Sequence, residues 1–351
     1  MSQWNQNPQQ TGYPQQAPPK RLSWLWIVLG ILGGGSLLVV LLCAGTIFWM
    51  TRVPRGSSAS RNLNKYDSIP VPTFADRSES EPFQVAAGVS RIVIPLGEQG
   101  GYYSTPGMGG MIWVYLPAGE HAMGSLPCVL MAASRYSVDV GAALDSLDED
   151  EYVTYAQAGF VVVAYELDGR NDAEMFNVAA EQKQFAAFAD SCAGMVNARN
   201  AFQCMLQRFP EVNPQQIFTA GIYLSSIQAL LFAEHEPRIA GVVAIAPTID
   251  VPAHLGVLLL RSNPQPGFID FATQSSPSTH VKQLKSSVFI YLEEEDEPLL
   301  PNQAKEIKAF VAALKKQGTD ATLMAVKSEF NGRVDEGIQP SIKWLKEQIA
   351  K

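Results

Sequence analysis

Ile217-Phe218-Thr219-Ala220-Gly221-Ile222-Tyr223-Leu224-Ser225-Ser226 is the stretch on which the fold turns. Its first residues form an apolar run of the kind a buried strand carries, Gly221 marks a sharp turn, and Leu224 to His235 reads as a helix. A strand that feeds a helix through a tight turn is half of a parallel crossover unit. The same alternation continues in both directions. Upstream, Gln184 to Phe209 keeps a helical period through Phe185, Phe188, Met195, Phe202 and Leu206 until Pro210 stops it. Before it come the strand Phe160–Tyr165, the amphipathic stretch Glu151–Ala158 and the short buried run Cys128–Ala133. Val89–Pro95 and Gly110–Pro117 read as an opening hairpin. Downstream, strands at Gly241–Ala246, Val288–Leu292 and Ala321–Val326 alternate with helices at Pro301–Gln317 and Pro340–Ala350. Buried strands alternating with helices predict an α/β architecture, a mostly parallel, doubly wound sheet covered on both faces.

The N-terminal part is of another kind. Residues 1–21 are rich in Gln and Pro and cannot bury a core, which predicts a disordered tail. Residues 22–51 contain no charge, carry Trp24, Trp26 and Trp49 near their ends and are long enough to span a bilayer, which predicts a single transmembrane helix. A signal peptide would be shorter, and a lipoprotein signal at Cys43 would need a small residue where Leu42 stands. Lys20 and Arg21 oppose Arg52, Arg55, Arg61 and Lys65 across the span, so the side on which the domain lies stays open. Gly30 and Gly34 have the spacing that lets two helices approach, which admits a homodimer. Residues 52–82 read as a linker, and 83–351 as one globular domain.

Net charge is −8 and the pI is about 5.1, so no nucleic-acid partner is expected. Cys43, Cys128, Cys192 and Cys204 form no CxxC pair and read as small apolar fillers. Cys192 and Cys204 fall on one predicted helix, too far apart to bridge. The acidic run Asp145–Glu151 lacks the central glycine of a calcium loop, and Gly100-Gly101 and Gly109-Gly110 match no phosphate loop. No metal or cofactor is expected.

Asn197–Ala201 and Leu231–Ala240, with the turn between them, resemble a group of bacterial α/β-hydrolases related to S9 prolyl-oligopeptidase-type peptidases and acyl esterases. The resemblance spans about Val89 to Lys351 and implies the α/β-hydrolase fold, with a nucleophile on a Gly-His-Ser-x-Gly elbow, then an acid, then a histidine. This chain reads Gly221-Ile222-Tyr223-Leu224-Ser225 at the elbow. The resemblance therefore places Tyr223 at the nucleophile position, Asp296 at the acid and Glu329 at the histidine. No histidine follows His280. Tyrosine, with a pKa near 10, is a poor acyl nucleophile, and an ordinary glutamate, with a pKa near 4.3, is a weak base. Backbone N–H groups of Ser134, Arg135 and Leu224 would form an oxyanion cradle.

Two expectations follow. One is a membrane-anchored pseudohydrolase that binds a small-molecule or protein ligand or acts as a scaffold. The alternative is an active, S9-like serine hydrolase with a rearranged site, using Ser225 or Ser226 with a carboxylate or His254. A serine hydroxyl within hydrogen-bonding reach of an imidazole would favour the alternative; serines packed into the helix would oppose it. His235, His280 and His121 read as structural.

Overall fold

The computed structural model describes residues 63–74, 81–96, 106–107, 110–134, 138, 140–170, 178–259, 267–294, 302–327 and 335–351. The apolar runs assemble into one nine-stranded sheet in the order β1-β2-β3-β5-β4-β6-β7-β8-β9. The strands are β1 (Phe83–Ala86), β2 (Val89–Pro95), β3 (Met111–Pro117), β4 (Leu126–Ala132), β5 (Val161–Tyr165), β6 (Val212–Ile222), β7 (Gly241–Ile245), β8 (Ser287–Glu293) and β9 (Ala321–Val326). The first three are antiparallel to their neighbours, and β5-β4-β6-β7-β8-β9 run parallel. β5 and β7 are buried along their whole length, because crossover helices cover both faces; that is why they read as unbroken apolar runs. β2 borders solvent and mixes buried and half-buried positions.

Helices α1 (Glu149–Gln157), α2 (Val178–Asp190), α3 (Met195–Arg208) and α4 (Ser225–His235) cover the sheet, with α8 (Gln303–Lys316) and α9 (Asp335–Ile349) following later in the chain. Three shorter helices, α5 (Val251–Leu259), α6 (Phe268–Gln274) and α7 (Pro277–His280), fill the excursion between β7 and β8. Pro340 sits within α9, whose first residue precedes the predicted start at that proline.

Two expectations need correction. The continuous helix predicted from Gln184 to Phe209 is two helices, broken at Ser191–Gly194. Cys192, Ala193 and Gly194 all take positive φ (56°, 56° and 80°). The Ser191 hydroxyl donates to the Phe188 carbonyl and accepts from Gly194 N–H, which seals the break. The apolar period carries across it because both helices pack on the same core, so periodicity alone could not show it. Cys128, Cys192 and Cys204 are buried and unbridged.

Part of the predicted linker is packed structure. Residues 63–74 begin with a 3₁₀ turn, Leu63–Ser68, and sink Leu63, Tyr66 and Phe74 into the core. Among the described residues no helix is long and apolar enough to cross a membrane. Residues 22–51, including Gly30 and Gly34, lie outside the described residues.

Candidate functional site

β6 and β7 are in register from Phe218 against Gly241 to Ile222 against Ile245, so the turn after β6 stands at the carboxyl edge of the sheet. Tyr223 occupies that turn with φ 51°, and its N–H donates to the Ile245 carbonyl at 2.9 Å. Left-handed backbone is disfavoured for a side-chain-bearing residue by roughly 1–2 kcal/mol. Gly221 makes the turn feasible in another way. A Cβ there would lie 2.4 Å from the Ser225 carbonyl oxygen, so the strand and the first turn of α4 touch through its missing side chain. Tyr223 is half exposed at the tip. The strain predicts that Tyr223→Gly is more stable than Tyr223→Ala by about 1 kcal/mol, although glycine gives the unfolded chain more freedom. Urea unfolding of the two variants checks the sign.

Both serines after the elbow face inward. Ser225 Oγ accepts from Ile222 N–H at 2.8 Å and donates to the Ile222 carbonyl at 2.9 Å. Ser226, fully buried, donates its hydroxyl to the Tyr223 carbonyl. These bonds brace the turn and occupy both hydroxyl protons. The four histidines have other partners. His121 Nε2 meets the Pro117 carbonyl, His235 Nδ1 the Leu231 carbonyl and His280 Nε2 the Gln274 carbonyl. His254, on α5, has Thr248 Oγ1 at 3.4 Å from its Nδ1, and burial lowers its pKa. His235 terminates α4, at the opposite end of that helix from the elbow, and it is partly enclosed. The predicted serine–imidazole contact is therefore missing for Ser225, Ser226 and His254.

Of the expected cradle, Leu224 is the N-cap of α4, immediately before its first turn, where backbone N–H groups have no intrahelical acceptor. Ser134 follows β4, and its backbone hydrogen-bonds to the Asp148 carboxyl. Burial raises the pKa of Asp148, with nearby Asp145 adding to the rise, and the Ser134 bond opposes it. A side-chain carboxylate thus engages one of the expected donors. Arg135, Asp296 and Glu329 lie outside the described residues. What the described residues do fix is topological: β8 and β9 are parallel neighbours in register through Glu293 and Val326. Both strands therefore end at the same edge of the sheet as Tyr223.

A buried polar network behind this edge was not anticipated. Glu166, just past β5, accepts from Met111 N–H at 2.9 Å, Leu144 N–H at 3.2 Å and Arg170 Nη1 at 2.8 Å. Asp168 accepts from Gly107 N–H at 2.5 Å and Asn197 Nδ2 at 3.1 Å, and its pKa is raised, chiefly by burial. The available sequence signal was two carboxylates immediately after a fully apolar strand. Their partners are far away in the chain and gave no signal. Among the described residues no group of three or more His, Cys, Asp or Glu side chains is placed to hold a metal.

No family model and no curated protein matches the chain. Solved structures do. An acetyl xylan esterase from Paenibacillus sp. R4 superposes with TM-score 0.58 at 13% identity, over 81% of this chain and 91% of that one. Acetyl xylan esterase 1 from Thermoanaerobacterium sp. JW/SL YS485 gives 0.52 at 15% identity, over 82% and 90%. The acylaminoacyl peptidase of Pyrococcus horikoshii gives 0.50 at 13%, over 68% of this chain and 39% of that one. Identities this low speak for architecture and not for activity. Together with the strand order and the elbow after β6, they establish that this chain has the α/β-hydrolase fold.

Proposed function

We propose that the domain binds a ligand at the carboxyl edge of its sheet without hydrolysing it, and that residues 22–51 hold it at a membrane. The observation that carries this reading is the elbow. A half-exposed tyrosine stands at the turn, and both following serine hydroxyls are bonded to the backbone. Serine hydrolysis needs a base beside the hydroxyl to take its proton, and the four histidines bond elsewhere. The retained elbow and the N–H of Leu224 suit a ligand carbonyl or carboxylate, with the Tyr223 ring at its side.

A second reading, an active esterase or peptidase with a rearranged site, has a specific support. The solved structures of similar fold carry the names of hydrolases. The two readings separate in one experiment. The full chain in detergent is incubated with a fluorophosphonate probe, with p-nitrophenyl acetate and with a blocked dipeptide ester. The expected result is no covalent adduct by mass spectrometry and no turnover above a heat-denatured control. An adduct on Ser225 or Ser226, or turnover that vanishes in Ser225→Ala, Ser226→Ala or Tyr223→Phe, would establish the hydrolase instead.

A further inference from the structure

At the end of α4 remote from the elbow, residues 63–74 form a strap across α3 and α4. Its carbonyls are gathered by one side chain: Arg199 Nη1 donates to Tyr66 O and Ile69 O at 2.6 Å each, and Nη2 donates to Pro70 O at 3.3 Å. Arg208 holds the Phe74 carbonyl. Tyr66 reaches across, its hydroxyl donating to the His235 carbonyl at 3.1 Å and its ring standing edge-on to the His235 ring at 6.2 Å. On another side the His235 ring meets His280, with centroids 4.8 Å apart.

The proton inventory of His235 is determined by its partners. A carbonyl oxygen only accepts, so the contact to Leu231 O at 2.9 Å places the proton on Nδ1. Nε2 then carries a lone pair, and it is buried without a hydrogen-bond partner. Protonation would create a buried N–H donor and a positive charge with no acceptor, against a second imidazole. We propose that the strap is a pH-responsive clasp: it is docked while His235 is neutral and is released when Nε2 takes a proton.

Burial and the groups around the ring set the direction. Burial, the largest effect, lowers the His235 pKa, and His280 on α7 adds to the fall; the bond to the Leu231 carbonyl and Asp67 on the strap oppose it. Glu236, just past α4, is held by Arg238 at 2.7 and 2.6 Å. Arg199 of α3 is committed to the strap and to Asn200. Glu234, on α4 itself, is enclosed with both carboxyl oxygens unpartnered, and burial pushes its pKa well up. A histidine whose pKa is depressed in the docked state binds fewer protons there than when open. Docking is therefore favoured at pH above the ordinary histidine value of about 6.5 and weakens as the pH falls through it. Release would free twelve residues, about 40 Å of extended chain, between the N-terminal apolar segment and the sheet. Acidification thereby lengthens the tether, which is a consequence independent of whether the elbow binds or hydrolyses.

The test is amide hydrogen exchange of peptides covering residues 63–74 in the full chain in detergent micelles, from pH 8 to 5 and corrected for intrinsic exchange rates. Strap protection is expected to hold level above pH 7.5 and to fall by up to about tenfold per pH unit below 6.5, the slope of one coupled proton. His235→Asn keeps a donor near Leu231 O and does not titrate, so its profile is expected to be flat. Wild-type protection that stays constant down to pH 5, or the same slope in His235→Asn, would overturn the clasp. His280→Gln separates the second imidazole. A slope that persists in His280→Gln and vanishes in His235→Asn assigns the proton to His235, whereas the reverse pattern would overturn that assignment.

Discussion

Gly221→Ala is expected to cost about 3 kcal/mol or more, at the upper end of overpacking penalties. The added methyl would stand 2.4 Å from the Ser225 carbonyl oxygen and 2.5 Å from both the Ser225 carbonyl carbon and the Ser226 nitrogen. All three are backbone atoms at the start of α4, so no side-chain rotation makes room. Relief requires lifting α4 away from β6. That would break the Ser225 bonds to Ile222 and shift Tyr223 off the Ile245 carbonyl. For a domain of this size the loss corresponds to roughly 6–12 °C in Tm. Gly256→Ala is the control, because its Cβ would meet nothing within 4 Å and alanine favours a helix. Circular dichroism melts of the two variants decide the matter: a Gly221→Ala melt within a degree of wild type would mean that strand and helix do not approach as described.

Arg199→Met is expected to open the strap and leave the sheet standing. The substitution keeps the apolar stem but abandons the carbonyls of Tyr66, Ile69 and Pro70. Each buried carbonyl left unpaired costs about 1–3 kcal/mol. The strap can recover those bonds from water only by undocking, which exposes Leu63, Tyr66 and Phe74. The loss of docking free energy is about 3–5 kcal/mol, read as a fall of 100-fold or more in amide protection over residues 63–74. Protection in β5 and β7 should change far less. Arg199→Lys should rescue only in part, because an ammonium cannot fork across three acceptors. Unchanged protection of the strap in the Met variant would refute the anchoring role of the guanidinium.

These two sites differ in how visible they were beforehand. The elbow could be read because it is local. Gly221, Tyr223 and the serines lie within six residues, and a strand-to-helix turn has a short sequence signature. What Ser225 and Ser226 do with their hydroxyls could not be read, since serine is equally suited to a nucleophile and to a backbone brace. The strap gave no signal at all. Its apolar residues are too sparse to show a period, and the arginine that binds it is about 130 residues away. The break at Ser191–Gly194 was hidden by an apolar pattern that both helices share.

By itself the sequence determined the sheet and the turn at its edge. Fully buried parallel strands must be continuous apolar runs, and a crossover turn needs a small residue where helix and strand touch. Tertiary structure alone decided which side chains became partners: Ser225 with Ile222, Arg199 with the strap, and His235 with His280 and Tyr66. The physical reason is range. Periodicity and turn chemistry act over a few residues, whereas satisfying a buried polar group depends on whatever the folded chain brings within about 3 Å of it.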